Sequence, residues 1–338
     1  MPINISINEF LSISFQIFDV RSPIEFEKGH IPDAINLPVF TNEEGAIIGT
    51  AYFKQGRSEA IKIGLEKVQS KLVDFVESVN KIAKGQNIRL HCWRGGMRSQ
   101  NMAWLLEMTG YNVYLLNGGY KIYRNYVLKY FEKEFSFIVI GGMTGVGKTE
   151  ILKLLESNGE QVIDFEGLAN HKGSVFGHLG QPNQPTTEYF ENLIFYKLSK
   201  FSHNKNIWIE DESISIGNVF INKSLFKQII KAPIIVIERN ENDRVNRLID
   251  EYSHFDKELL ITTIKRIERR IGGDICRNII ENINNDNFND AISVILKYYD
   301  KHYQINFNKT SLGKTTFLNI DKLSNIEILN RLLLHCKK

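Results

Sequence analysis

Only three of the 338 residues are cysteines, Cys92, Cys276 and Cys336, too few and too scattered for a disulfide framework or a four-ligand zinc site. A reducing compartment is expected. Long apolar runs are lacking as well: none reaches the roughly 18 residues of a membrane span. The N-terminal MPINISINEFLSISFQ has neither the cationic n-region nor the apolar h-region of a secretory signal, so the expectation is a cytoplasmic protein without membrane contact. Proline is scarce, with 7 residues. No Pro/Ser-rich linker, internal repeat or low-complexity tract occurs, which argues for packed rather than tethered domains. Excess charge is also missing. Forty-two Lys and Arg against 39 Asp and Glu leave +3, so charge alone neither demands nor excludes a polyanionic partner, and a nucleic-acid surface must be a local patch.

What is present is ordinary globular composition, 43% hydrophobic and 24% charged, in a chain long enough for two domains at roughly 150 residues each. The apolar runs FQIFDV, IRLHCW and VYLL alternate with helical periodicity and polar turns, a βα alternation. Between them Ile61, Leu65, Val68, Leu72, Phe75 and Val79 recur at spacings of three and four, which predicts an amphipathic stripe over one or two helices. A second series, FSFIVIGG, NIWIEDES and APIIVIER, reads as buried parallel strands. Residues 119 to 135 read as a connecting helix. The expected organisation is α/β throughout: residues 1–132 form one domain, and residues 133–338 form a second with a parallel sheet and a helical C-terminal part. The tail beyond residue 305 is ambiguous.

Cys92 ends an apolar strand, and Trp93-Arg94-Gly95-Gly96-Met97-Arg98-Ser99 then opens a helix. In such a loop successive backbone N–H groups converge on one point, two glycines relax the backbone, and Arg94 or Arg98 can fork onto an oxyanion. These surroundings favour a thiolate, so Cys92 is the candidate nucleophile, able to accept a chalcogen atom or attack phosphorus. Trp93 can stack on a base or pack the loop. Cys276 and Cys336 lack such surroundings and read as structural.

The loop, with Asp19-Val20-Arg21-Ser22-Pro23-x-Glu25-Phe26 and Gly29-His30-Ile31-Pro32-x-Ala34-Ile35-Asn36, resembles the rhodanese family. There those two segments are scaffold signatures and the loop cysteine carries a chalcogen as a persulfide. Asp33 stands where that family often has Gly, and reads as a turn substitution. Cys92 to Arg98 spans seven residues, one more than ordinary sulfurtransferase loops, which resembles rhodanese-fold phosphatases and suits a phosphate-sized ligand.

Gly142-Met143-Thr144-Gly145-Val146-Gly147-Lys148-Thr149 fits G-x-x-x-x-G-K-[ST] between a strand and a helix. Gly142, Gly145 and Gly147 let the loop amides cradle a di- or triphosphate, Lys148 neutralises its outer charge, and Thr149 is placed to bind Mg²⁺. Glu210, Asp211 and Glu212 end a later strand, where they either order a metal or meet solvent. Between these lies a polar loop with His171, Lys172, Ser174, Gln181 and Gln184, either a donor set for bases, ribose or diphosphate or plain surface.

In order and spacing, CWRGGMRS, GGMTGVGKT, EGLANHKGS, the QPNQ segment, EDES and YYDKHY together resemble the tRNA 2-selenouridine synthase family over nearly the whole chain. Ile214 departs from that pattern where an Arg is expected. The resemblance implies a transferase that S-geranylates wobble 2-thiouridine with geranyl diphosphate and then replaces the geranylthio group with selenium from selenophosphate. It implies no tightly bound cofactor and no resident metal beyond Mg²⁺ at the phosphate loop. Its partners are the anticodon region of tRNA and a supplier of selenophosphate, and a monomer is expected. Lys265, Arg266, Arg269 and Arg270 fall on one predicted helix near Arg277 and are either the candidate RNA patch or a solvated face of mixed ion pairs, and Arg239 is placed to close over a phosphate. Two rivals are a phosphatase fused to a nucleotide kinase and a nucleotide-gated binding module without catalysis.

Overall fold

A computed structural model describes residues 1–310 and 313–334; Cys336 lies outside the described residues. The chain divides into two compact units, Met1–Tyr130 with Glu191–Phe195, and Phe131–Phe190 with Tyr196–Lys338.

The first unit runs β1 (Ile3–Ile5), α1 (Ile7–Ser12), β2 (Gln16–Asp19), α2 (Pro23–Lys28), β3 (Ala34–Asn36), α3 (Asn42–Gln55), α4 (Arg57–Val68), α5 (Leu72–Ile82), β4 (Asn87–His91), α6 (Met97–Met108), β5 (Asn112–Leu116) and α7 (Gly119–Tyr130). Its five strands form one parallel sheet in the order β1-β5-β4-β2-β3. The apolar strands are covered by α5 and α6: Phe18, Ile88, Leu90, Val113 and Leu115 meet Phe75, Val79, Met102 and Leu106. Of the apolar stripe predicted over these helices, Val68, Phe75 and Val79 meet the core, while Leu65 and Leu72, on either side of a 3₁₀ turn at Gln69–Lys71, are 62% and 40% exposed. The helix α2 starts on Pro23, and the Glu25 carboxylate accepts from Ser22 N–H at 3.0 Å. Asp33 has φ +66°, the left-handed turn that Gly would take most easily and Asp tolerates.

Strand order reverses between β2 and β4, so the carboxyl ends of those strands flank a switch-point crevice. There the Arg21 guanidinium, fully buried, donates to both Asp19 carboxylate oxygens at 2.6 to 2.9 Å and to Gly29 O at 2.7 Å. Its face lies 3.8 Å from the Tyr120 ring centroid. Burial works to raise the Asp19 carboxyl, but His91 and Arg21 hold it below the usual range. Burial lowers the His91 pKa against the pull of Asp19, and Arg21 is the permanent charge paired with Asp19.

The second unit runs β6 (Phe137–Gly142), α8 (Lys148–Ser157), β7 (Gln161–Ile163), α9 (Phe165–Ala169), α10 (Thr187–Leu198), β8 (Ile207–Glu210), β9 (Ser215–Ile216), β10 (Val219–Phe220), α11 (Lys223–Ile229), β11 (Ile234–Glu238), α12 (Glu241–Tyr252), α13 (Lys257–Lys265), α14 (Glu268–Ile271), α15 (Gly273–Asn284), α16 (Phe288–Thr310), β12 (Thr315–Asn319) and α17 (Asn325–Leu334). Its parallel sheet has the order β12-β11-β6-β8-β7. β6 is buried along its whole length, as a central strand covered on both faces must be. The chain crosses from β8 to β11 on the other side of β6, which puts the phosphate loop at a second switch point. The ambiguous tail resolves into β12, paired with β11 over Ile234↔Thr315 to Glu238↔Asn319. TTFLN is half exposed at the sheet edge, so it lacks the continuous apolar signature of the inner strands.

Arg21→Ala leaves the Asp19 carboxylate buried without its charge partner, and should cost about 3–5 kcal/mol in urea unfolding. The double variant Asp19→Leu with Arg21→Met should recover most of that loss.

Candidate functional site

In the first unit Cys92 leaves β4 and is 3% exposed. Its Sγ lies 3.2 Å from Ser99 Oγ, and Ser99 O–H donates to Gly96 O at 3.1 Å. The loop is backed by Gly119: a Cβ there would lie 2.4 Å from Cys92 O and 2.6 Å from Gly95 N, at φ +60°. Only glycine fits, which lets Tyr120 N–H and Lys121 N–H donate to Cys92 O (2.9 Å) and Trp93 O (3.0 Å). Among the described residues the amides of Trp93, Arg94, Gly95 and Gly96 donate to no protein acceptor, so they remain available for an anion.

The two arginines diverge. Arg98 forks onto Glu25 at 2.6 and 3.2 Å. Burial raises the Glu25 carboxyl, but Arg98 and Ser22 hold it below the usual range. Its fork is therefore spent on protein, contrary to the expectation that it grips an oxyanion. Arg94 is exposed and forms no ion pair among the described residues. Trp93 packs, its ring 5.7 Å from Tyr120 and 5.9 Å from the Arg21 guanidinium, and Met97 is exposed at the start of α6.

In the second unit Gly142, Gly145 and Gly147 take φ of +142°, +82° and +96°, shaping the loop around the N-terminus of α8. Lys148 Nζ donates to Gly142 O at 3.2 Å, and Thr149 follows in the first turn. Three residues outside the motif fix this loop. Tyr303 accepts from Gly142 N–H at 2.8 Å and donates to Asp211 Oδ2 at 3.2 Å. Arg244, 4% exposed, donates Nε to Thr144 O at 2.8 Å and both Nη atoms to Asp300 at 3.0 and 2.6 Å. Tyr303 and Asp300 belong to YYDKHY, which the sequence marked only as a matching segment. Arg244 gave no signal, because nothing in sequence spacing ties it to a loop a hundred residues away.

The three acids of EDES separate. Glu210 is buried, not solvent-facing: its Oε1 accepts from Glu166 N–H at 2.8 Å and its Oε2 has no partner. Burial and the neighbouring Asp164 push its carboxyl well above the usual range. Asp211 is taken up by Tyr303, and burial raises it against the pull of Lys148. Glu212 is raised well above the ordinary range by burial and then by Glu166, to which it is hydrogen-bonded. Glu166, missed as a site residue, is itself raised by burial. Lys148 thus faces Asp211, Glu166 and Glu212. Among the described residues no group of three His, Cys, Asp or Glu is arranged to hold a metal.

The polar loop is mostly spoken for. Gln184 donates to Ala169 O (3.1 Å) and Ile216 O (3.0 Å) and accepts from Asn218 N–H (2.8 Å), so its amide holds the β9-β10 hairpin rather than facing substrate. Lys172 pairs with Glu251 at 2.6 Å. His171 Nδ1 is buried without a partner, and burial and His178 push the ring toward the neutral form. The Ser174 hydroxyl accepts from Phe176 N–H at 3.2 Å, and Gln181 is half-buried with no side-chain partner among the described residues. Ile214 is half-buried before β9, where a hydrocarbon takes no phosphate.

Beside Thr144 and Ser174 an apolar cavity opens, lined by Phe176, Leu248, Tyr252, Leu260, Phe288, Ile292 and Tyr299 among others, with about 570 Å³ of space including its mouth. Periodicity did not reveal it, since its walls come from six separate segments. Cys276 is buried in the adjoining core, and burial pushes its thiol up. Arg239 follows β11 and has a buried Nε without a partner. Arg266, Arg269 and Arg270 are exposed and without ion-pair partners among the described residues, and Arg277 pairs with Asp274. The single helix expected for them breaks at Ile267, whose ψ of +5° separates α13 from the four-residue α14. Among the described residues no helix is long and apolar enough to cross a membrane.

These two sites and sheets define a rhodanese-like domain followed by a P-loop domain: residues 7–126 match the rhodanese-like domain family, and residues 135–320 match the family described as the tRNA 2-selenouridine synthase AAA domain. The chain is 34% identical to the tRNA 2-selenouridine synthase of Sulfurovum sp. (strain NBC37-1), covering 87% of this chain and 89% of that one. It is also 34% identical to that of Shewanella sediminis (strain HAW-EB3), over 89% and 90% of the two chains. The chain belongs to the tRNA 2-selenouridine synthase family.

A raised carboxyl stabilises the fold only while protonated. As pH rises past the ordinary value of 4.5 toward the raised value of Glu212, the unfolded chain loses its proton first and stability falls. Glu212→Gln should therefore melt higher than wild type at pH 8, by about 2–4 °C for each kcal/mol recovered, and the difference should shrink at pH 5.

Proposed function

We propose that this chain makes 2-selenouridine in tRNA, the activity for which its relatives are named, and that it does so through an S-geranylated nucleoside. The observation that carries the prenyl step is the hydrocarbon-lined cavity beginning at Thr144, a residue of the phosphate loop itself. A diphosphate in the loop would place an attached hydrocarbon against Phe176, Leu248 and Leu260. Its mainly apolar walls suit an isoprenoid better than a ribose and base. Loop amides and Lys148 stabilise the charge that builds on departing diphosphate. The 2-thiouridine sulfur attacks C1 of the geranyl group, the C–O bond to diphosphate breaks, and the N3 proton leaves to solvent.

Alkylation turns sulfur into a neutral leaving group. Selenium of selenophosphate then adds at C2, geranylthiol departs, and hydrolysis of the P–Se bond releases phosphate and 2-selenouridine. The free amides of Trp93 to Gly96 would hold the tetrahedral phosphate of the selenium donor against Cys92. The exposed, unpaired Arg266, Arg269 and Arg270 supply backbone-phosphate contacts for tRNA. A Mg²⁺ would be held by Thr149 and diphosphate oxygens, with water completing its shell, and would add positive charge at the leaving group.

The test is mass spectrometry of nucleosides after incubating the full chain with 2-thiouridine tRNA, geranyl diphosphate and selenophosphate. Cys92→Ala should lose selenouridine and accumulate the geranylated nucleoside. Lys148→Ala should slow geranylation about 10- to 100-fold. Undiminished selenouridine in the Cys92 variant, or undiminished geranylation in the Lys148 variant, removes the corresponding site from the scheme.

A further inference from the structure

Arg244 and Arg247 lie three residues apart on α12, one helical turn, and so share the face turned to the phosphate loop. Arg244 is wholly used in holding Thr144 and Asp300. Arg247 holds no loop carbonyl among the described residues. Its guanidinium lies over Gly147: a Cβ there would sit 3.0 Å from Arg247 Nη2 and 3.2 Å from Cζ. Its partner is Glu150, whose Oε2 would lie 3.0 Å from the same Cβ and whose side chain is 64% exposed. Glu150 belongs to the first turn of α8, one residue past Thr149. The pair therefore sits at the mouth where the amides of Gly147 and Lys148 meet an anion.

A second cation interacts with Arg247. Arg239, at the end of β11, has a buried Nε with no acceptor. Burial and then the charge of Arg247 disfavour its ionised form. The Asp243, Glu150 and Asp321 carboxylates act on Arg239, whereas the partner of Arg247 is the exposed Glu150, whose place a bound anion can take.

We infer that Arg247 is a phosphate-binding residue that exchanges Glu150 for a terminal oxygen of the diphosphate when the loop is filled. This rests on the reading of the loop as a diphosphate cradle. Glu150 holds the guanidinium over the loop in the empty state and competes with the ligand for it. The pair is exposed on the Glu150 side, so releasing it costs little, whereas a guanidinium to phosphate contact is charge-assisted and can be bidentate.

The test is calorimetric titration of the full chain with inorganic diphosphate. Arg247→Ala should bind about 10- to 100-fold more weakly than wild type, and Arg247→Lys should fall between them, since an ammonium keeps charge but loses the fork. Glu150→Gln should bind about two- to five-fold more tightly. Opposite signs from the two members of one ion pair distinguish exchange from mere support of the loop, because a structural pair broken from either side would weaken binding both times. Binding by Arg247→Ala within two-fold of wild type, or equal weakening in both variants, overturns the inference while loss of binding in Lys148→Ala leaves the cradle standing. A wild-type chain that binds no diphosphate, or a Lys148→Ala chain that binds as wild type, overturns both.

Discussion

A backbone amide that leaves the end of a central parallel strand has lost its ladder partner and must find another acceptor. Both candidate sites of this chain are built on that constraint. After β4 the amides of Trp93 to Gly96 find no protein acceptor, and after β6 the phosphate loop turns its amides round the start of α8. Each loop follows a strand at which the sheet order reverses, so no neighbouring connection covers it. The sheets thus supply anion sites before any side chain is considered.

The side chains then decide how much charge each site carries when empty. Near Cys92 the Arg98 guanidinium is paired with Glu25, and attraction for an anion rests on amides and the exposed Arg94. At Lys148 the balance is the reverse, with Asp211, Glu166 and Glu212 crowding one ammonium. Burial raises all three carboxyl groups, and Glu166 raises Glu212 further.

Much of this was legible in the linear chain. The inner strands, the two loops and their glycines follow from apolar runs broken by G-rich turns, since period and backbone freedom are local properties. The elements that escaped are those whose signal is shared with distant residues. β12 is half exposed and becomes a strand only through β11, and the apolar stripe over α4 and α5 was divided by a 3₁₀ turn. Gln184 resembled a substrate donor until the Ala169, Ile216 and Asn218 backbone groups claimed it.

By itself the sequence determined that two α/β units each carry a glycine-rich loop after a central strand, because strand period, glycine spacing and the residues flanking Cys92 and Lys148 are encoded within short segments. Only the tertiary structure decided which charges those loops face. Tyr303, Asp300 and Arg244 reach the phosphate loop from residues about 100 to 160 positions away, and the cavity beside it is walled by helices brought together from separate parts of the chain. Electrostatics and shape depend on distance in space, and distance in space follows from packing, which no local pattern records.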